Sequence, residues 1–131
     1  MTINEALALH AAVQACSASY TVMHDGKPVS VMPSFSGTAR LTLARMLHSL
    51  KAEVDAFTTA TEHAVKELGG PWEADRQASP DCVTARRRIA EIGAQASTVN
   101  LDGFTLPEAD FLNDNCFLPV GVVSTLLPYI R

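Results

Sequence analysis

Residues 36–71 read SGTARLTLARMLHSLKAEVDAFTTATEHAVKELGGP, and this stretch decides the fold because neither proline nor glycine occurs between Thr38 and Leu68. Along it, steps of four and three residues alternate, which is the spacing of a helix that keeps one seam against a partner. The seam comprises Leu43, Leu47, Leu50, Val54, Phe57, Thr61, Ala64 and Leu68. The pattern predicts one long helix over about residues 37–68.

Both ends of this helix are marked in the sequence. Ser36 is a suitable N-cap, since its hydroxyl can accept a hydrogen bond from a free amide of the first turn. Gly69-Gly70-Pro71 ends the helix, because glycine adopts the left-handed cap conformation and proline cannot continue the helix. At about 1.5 Å per residue the helix is about 50 Å long, against a radius of gyration of about 14 Å for a compact chain of this length. We therefore expect part of the seam to be left for a partner chain. The alternative is that the first and third helices cover the seam within one chain.

A β-hairpin is predicted over about residues 20–32, YTVMHDGKPVSVM. Asp25-Gly26 is typical of a two-residue type I′ turn, in which both residues have positive φ. This turn pairs Tyr20 with Val31 and Val22 with Val29, so that the aromatic and branched side chains share one face. Because an isolated two-stranded hairpin is only marginally stable, we expect it to lie on the helices or on a neighbouring subunit.

Two more helices are predicted before the tail. The sequence from Thr2 to Glu5 has the capping-box pattern that begins a helix, and Ser79-Pro80 is an N-cap followed by proline at the first helical position. The apolar stripe of the first helix is predicted as Ile3, Ala6, Leu7, His10, Val13 and Cys16. That of the third is Cys82, Ala85, Ile89, Ile92 and Ala96.

The C-terminal third contains only short predicted elements. Thr98 to Leu101 has the character of a short strand, and Leu106-Pro107-Glu108 begins a brief helical turn carrying Phe111 and Leu112. Residues 119–127, between two prolines, predict a short buried helix. The expected fold is mostly α with a small β-hairpin (α+β), in a single domain of residues 1–131 with a three-helix core built on the long helix.

Composition restricts the possible functions. The chain is 47% hydrophobic and 18% charged, which is apolar for a protein of 131 residues, so we expect some of its surface to be buried between chains. Its net charge of −4 argues against nonspecific nucleic-acid binding, which needs a basic excess. Arg86 to Arg88 is the only basic cluster and is typical of the solvated face of a helix.

The cysteines and the chain ends predict a cytoplasmic place of synthesis. Cys16, Cys82 and Cys116 are odd in number and far apart, which favours reduced thiols over a disulfide framework. The first residues lack the profile of a signal peptide, and the longest uncharged stretch, residues 115–130, is too short and too broken by proline to span a bilayer. We expect no association with a membrane.

No catalytic or cofactor motif is present. The four histidines show no metal-binding spacing, and the cysteines form no CxxC pair, so neither a metal nor a cofactor is expected. Glu108, Asp110 and Asp114 form an acidic cluster beside Phe111, which we interpret as a solvated turn rather than an acid–base pair. We predict that the protein is not an enzyme and name no catalytic, cofactor-binding or metal-ligating residue.

A family resemblance lies in the long helix and the tail. In the helix the matching residues are Leu41, Leu43, Ala44, Leu47, Leu50, Glu53, Val54, Phe57 and Leu68. In the tail they are Leu101, Leu106, Pro107, Leu126, Leu127 and Pro128. With these residues the chain resembles a family of small bacteriophage proteins of unassigned function that are encoded among virion morphogenesis genes. The hairpin departs from the shorter family members as an insertion, and the third helix is basic where acidic residues are expected.

The resemblance implies a structural or assembly component of a bacteriophage virion, near the head–tail junction or in the tail. Such a protein works by oligomeric association with copies of itself and with other phage structural proteins. We expect it in the host bacterial cytoplasm when synthesised and in the virion after assembly. The alternative is a small phage effector that binds and inhibits a host protein or sequesters a small signalling molecule, through the hairpin edge or Arg86 to Arg88.

Overall fold

The computed structural model describes residues 1–131 and contains five α-helices and one two-stranded antiparallel sheet. In chain order these are α1 (Ile3–Ala15), β1 (Tyr20–His24), β2 (Lys27–Val31), α2 (Gly37–Glu67), α3 (Pro80–Gly93), α4 (Glu108–Leu112) and α5 (Val120–Leu126). Two 3₁₀ turns, Ala74–Arg76 and Leu127–Tyr129, complete it. The predicted fold class, mostly α with a small hairpin, is confirmed. No helix combines the length and the apolar character needed to cross a membrane.

The long helix α2 begins and ends where the sequence predicts. The Ser36 hydroxyl accepts a hydrogen bond from the amide of Ala39 at 3.3 Å. At the other end Gly69 has a φ of 91°, and the amide of Gly70 donates to the carbonyl of Val65 at 2.9 Å. The helix is therefore limited by local backbone chemistry at both ends.

The seam of α2 is covered by the chain's own helices, which corrects the expectation that part of it is left for a partner. Of its eight residues, Leu43, Leu50 and Ala64 are buried, the other five are half-buried, and none is exposed. Helix α1 packs on the N-terminal half of α2, and α3 packs on the C-terminal half, where Arg88 forms an ion pair with Glu67 at 3.4 Å. The alternative of coverage by the first and third helices is the arrangement observed.

The main core lies between α1, the N-terminal half of α2 and the C-terminal segment. Met46 and Leu50 of α2 are completely buried there, together with Leu106 and Leu126. The C-terminal segment is held in place by the amide of Leu106, which donates to the carbonyl of Tyr129 at 2.7 Å. Helix α3 contributes no residue to this core cluster. The core therefore occupies one end of α2, and α3 extends the body along the rest of the helix.

The hairpin has the predicted register. Tyr20 pairs with Val31, Val22 with Val29 and His24 with Lys27. Asp25 and Gly26 have φ values of 51° and 74°, as a type I′ turn requires.

The apolar stripes predicted for α1 and α3 are each wrong in part. The buried side of α1 consists of Ala6, Leu9, Ala12, Val13 and Cys16, while Ile3, Leu7 and His10 are only half-buried. The buried residues form a single stripe that is rotated around the helix from the predicted one, because the position of the buried side is set by the helices that α1 contacts, which are α2, α3 and α5. The third helix ends at Gly93 and does not reach Ala96, which instead forms a β-bridge with Thr2.

Thr98 to Leu101 is not a strand, because no neighbouring strand pairs with it. Its polar side chains bond the local backbone instead: the amide of Val99 donates to the Ser97 hydroxyl at 3.1 Å, and the amide of Asp102 donates to Asn100 Oδ1 at 2.9 Å. Short polar side chains that satisfy nearby amides in this way favour a turn over an extended strand.

The C-terminal helix forms over residues 120–126, close to the predicted range, but it is not buried as predicted. Only Leu126 is fully buried, whereas Val120 is 85% exposed and Leu127 beyond the helix is 60% exposed. One side of α5 packs on α1, and the opposite side faces solvent.

Candidate functional site

The acidic cluster of the sequence divides into one structural carboxylate and two free ones. Asp110 Oδ2 accepts hydrogen bonds from the Ser36 amide at 3.2 Å and the Ser36 hydroxyl at 2.9 Å. It therefore holds the N-cap of α2 against α4, where a carboxylate also interacts favourably with the helix dipole. Glu108 and Asp114 are exposed and form no ion pair within the chain.

Asn115 is a buried clamp that the sequence does not reveal. It is completely buried, and its side chain makes three hydrogen bonds. Oδ1 accepts from the Ser34 amide at 2.7 Å, while Nδ2 donates to the carbonyls of Ser34 at 2.8 Å and Asp110 at 2.7 Å. These bonds join the segment before α2 to α4 and the turn that follows it.

The side chains that could ligate a metal lie apart in the structure. No three His, Cys, Asp or Glu side chains lie close enough to hold a metal ion. The three cysteines are free; Cys16 and Cys82 are buried, and Cys116 is exposed. Burial raises the pKa of the Cys16 thiol to about 11, which keeps it protonated, and its Sγ donates to the Ala12 carbonyl at 3.5 Å. Such a thiol is a poor nucleophile.

An apolar groove lies between α4 and α5, and we call it the C-terminal groove. It has a volume of about 470 Å³. Its apolar lining residues are Phe111, Leu112, Cys116, Leu118, Val120, Val123 and Leu127. Leu112 is 66% exposed and stands with Val120 and Leu127 among the most exposed large apolar side chains of the chain. Exposed apolar side chains grouped on one surface mark a site of association.

A second apolar groove lies where the chain enters α2, and we call it the linker groove. Its volume is about 300 Å³, and Met32, Pro33, Phe35, Leu43 and Leu47 contribute to its lining. Arg40 is the only charged residue that lines it, and this guanidinium has no carboxylate partner within the chain.

The two grooves share a border. The rings of Phe35 and Phe111 meet edge to face with centroids 5.4 Å apart. Ser34 and Ser36 flank Phe35 along the chain, and Asp110 and Asn115 lie before and after Phe111. Ser36 hydrogen-bonds to Asp110 and Ser34 to Asn115, so a hydrogen bond is present on each side of the aromatic pair. The two grooves therefore meet where residues 34–36 contact residues 110–115.

The hairpin extends from this body as an arm that is anchored only at its base. The Tyr20 hydroxyl donates to the Ala15 carbonyl at 2.6 Å, and the Tyr20 ring contacts Phe117 at a centroid distance of 5.7 Å. Beyond Val22 every residue from Met23 to Ser30 is exposed, and Met23 is 68% exposed. The far half of the arm therefore has no packing partner on either face.

The basic cluster lies on the exposed side of α3, as the sequence predicts. Arg86 donates to Gln77 Oε1 at 2.8 Å, and Arg88 pairs with Glu67. Arg87 has no hydrogen-bond or ion-pair partner. Two of the three guanidinium groups are thus used within the molecule.

The hairpin and the acidic cluster are predicted from the sequence, but the two grooves are not. Of the residues that line the C-terminal groove, those within 119–127 are predicted to be buried, since apolar residues between prolines are typical of core. Leu112 was predicted only to lie on a brief helical turn, with no indication of its exposure. Comparison with protein families, with curated proteins and with solved structures gave no match.

Proposed function

We propose that the chain is an assembly component of a bacteriophage virion, near the head–tail junction or in the tail, that works by associating with copies of itself and with other phage structural proteins. The observation that supports this role is the hairpin arm. Its far half is exposed on both faces although it carries apolar side chains, including Met23 and Val29. A two-stranded hairpin alone in water is only marginally stable, so contact with a partner stabilises the arm.

The backbone of the arm also offers an edge for pairing. With the observed register and a two-residue turn, the polar backbone groups of Thr21 and Met23 point to the open side of β1. On the open side of β2, Pro28 supplies no donor. A partner strand therefore adds more readily to β1 than to β2, with main-chain hydrogen bonds giving affinity.

The assembly role is tested by mass spectrometry of purified phage particles. Presence of the chain at a fixed stoichiometry supports it. Absence from particles, together with recovery of the tagged chain with one host protein, supports the effector alternative and contradicts an assembly role.

The contribution of the arm is tested by Val29→Asp, with Val83→Asp as the matched control. Both valines are exposed, but Val83 lies on α3 away from the arm. We expect Val29→Asp to reduce incorporation into particles while the helical circular dichroism is unchanged, and Val83→Asp to leave incorporation unchanged. Equal incorporation of the two variants would contradict a role for the arm.

A further inference from the structure

The two edges of the hairpin arm differ in how well they are protected against a further strand. On β2, Pro28 removes a donor and Lys27 adds a charge, and both are common protections of an exposed sheet edge. Strand β1 contains no proline or glycine and no Asp, Glu, Lys or Arg. None of the backbone hydrogen bonds that join different elements of the chain involves β1. The edge of β1 is therefore both open and unprotected.

The open edge of β1 is short. In the observed register the backbone groups of Tyr20, Val22 and His24 face β2, and those of Thr21 and Met23 face outward. Before these residues the chain leaves α1, and after them it turns back into β2. The edge therefore has room for a strand of about its own length.

We infer that the partner of this edge is β1 of a second copy, paired antiparallel about a two-fold axis beside Val22. In this register Thr21 of each copy lies opposite Met23 of the other. Each of these residues then donates its N–H and accepts at its C=O, so every outward backbone group of both strands is bonded. The inference rests on the proposed function, in which copies of the chain associate, and it identifies the partner of the arm.

The side chains fit the same pairing. Val22 lies opposite Val29 within the hairpin, and in the pair it also lies opposite Val22 of the second copy. A row of valines then crosses one face of a sheet of four strands, two from each copy. Cross-strand pairs of branched side chains stabilise a sheet, and the absence of charge in β1 means that no like charges oppose one another. A sheet of this size is more stable than the isolated hairpin.

Pairing through β1 also ends with two copies. The outer strands of the resulting sheet are both β2, and each is protected by Pro28. Pairing through β2 instead would place Pro28 opposite Ser30, and the bond that the missing N–H of each proline would donate could not form. The β1 pair is thus the self-pairing that uses every open donor and leaves only protected edges.

The contact between two arms is small. It involves only the five residues of β1 in each copy, which is less surface than the about 1,000 Å² that a stable interface buries. We therefore expect it to be too weak to hold two free copies together at micromolar concentration. In an assembly that keeps many copies close, the high effective concentration strengthens it. Covalent trapping detects such a contact in the free protein.

The inference is tested by disulfide trapping with Val22→Cys in a chain that also carries Cys116→Ala, which removes the exposed native thiol. In the inferred pair the two residues at position 22 face one another with Cα atoms about 4.5 Å apart, a distance that a disulfide bridges. The purified chain is treated with diamide as the oxidant, and the initial rate of dimer formation is measured by non-reducing electrophoresis.

Val29→Cys in the same chain is the matched control. Val29 lies opposite Val22 in the hairpin and is 40% exposed, but in the inferred sheet the two copies of it are three strand spacings apart, about 14 Å. We expect Val29→Cys to crosslink at least about ten-fold more slowly than Val22→Cys, because this distance is too long for a disulfide.

A second pair of variants tests the backbone bonds in the Val22→Cys chain. Thr21 and Ser30 lie opposite one another, and the N–H of each faces the open side of its own strand, so proline at either position keeps the bonds within the hairpin. We expect Thr21→Pro to slow crosslinking at least about five-fold, since each copy loses a donor, and Ser30→Pro to leave the rate unchanged. Circular dichroism confirms that every variant is folded.

Two results would overturn the inference. One is equal crosslinking rates for Val22→Cys and Val29→Cys, and the other is a rate for Val22→Cys that Thr21→Pro leaves unchanged. If Thr21→Pro nevertheless reduced incorporation into phage particles, the edge would belong to a strand of another phage protein. The proposed function would then stand without pairing between arms.

Discussion

The seam of α2 and the outer side of α5 are both apolar, yet the chain covers the first and exposes the second. Leu50 packs in the core with α1 and the C-terminal segment, α3 packs on the C-terminal half of α2, and no seam residue is exposed. On α5 only Leu126 is fully buried, while Val120 is 85% exposed. Several elements can pack along a long helix and together cover it, whereas a helix of seven residues can be held in place through one side alone. The apolar surface that remains exposed is therefore on the short element.

The largest effect is expected from Leu50→Ala, which removes a completely buried side chain of the seam. We expect a loss of about 2–5 kcal/mol in the free energy of unfolding, measured by urea denaturation. The matched substitution Leu127→Ala, on the exposed side, costs about 0.5 kcal/mol or less. The measurement is made at a concentration where the protein is monomeric. Similar losses of unfolding free energy for the two variants would contradict the conclusion that the seam of α2 is buried and the outer side of α5 is exposed.

Asn115→Ala tests how much the buried Asn115 clamp stabilises the border between the two grooves. The substitution leaves the Ser34 amide and the carbonyls of Ser34 and Asp110 without their partner. Unsatisfied buried groups cost about 1–3 kcal/mol each at most, and relaxation of the exposed segment toward water reduces the sum, so we expect a total loss of about 2–3 kcal/mol. Thermal unfolding measures it, with the neighbouring exposed Asn113→Ala as control. Equal stability of the two variants would show that the clamp does not hold the border.

The start of α2 is expected to contribute less than its interior. Ser36→Ala removes the hydroxyl that accepts from Ala39 and donates to Asp110. Loss of an N-cap costs about 1 kcal/mol. Ser124→Ala on the exposed side of α5 is the control and is expected to change the free energy of unfolding by less than about 0.5 kcal/mol. A loss of stability in the control as large as that of Ser36→Ala would contradict the capping role.

The smallest effect concerns alkaline pH. Burial raises the pKa of the Cys16 thiol from 9.0 to about 11, so the folded chain holds this proton more tightly than the unfolded chain. Its contribution to stability is complete below the unfolded pKa and is lost as the pH rises from 9.0 through about 11. Cys16→Ala should therefore flatten the decline of unfolding free energy with pH over this interval. Cys116→Ala, at an exposed cysteine, should leave the decline unchanged. If the decline is also unaltered in Cys16→Ala, it does not arise from the Cys16 thiol.

Local chemistry accounts for what the sequence predicts well. The Ser36 cap, the Gly69 end and the Asp25-Gly26 turn each depend on a few neighbouring residues, so the long helix and the hairpin register are correct. The side of α1 that is buried depends on which helices surround it, and most of its residues are apolar or small. Leu9, which was not assigned to the stripe, is accordingly buried, and Leu7 is only half-buried.

The grooves and the Asn115 clamp depend on contacts between distant parts of the chain. Asn115 lies in the stretch NDNC, which is typical of a turn, and only its contact with Ser34 shows its role. The exposure of Val120 follows from how α5 docks on α1, and no spacing rule contains that information.

The central claim is that the chain covers the seam of α2 itself and leaves the exposed side of α4 and α5 as the apolar surface through which copies would associate. Light scattering with size-exclusion chromatography on the wild type and on Val120→Asp tests it most directly. We expect a mass for the wild type that rises above 14.0 kDa with concentration, and a mass of 14.0 kDa for the folded variant at every concentration. A wild type that remains at 14.0 kDa at every concentration, or a variant as dimeric as the wild type, would contradict it.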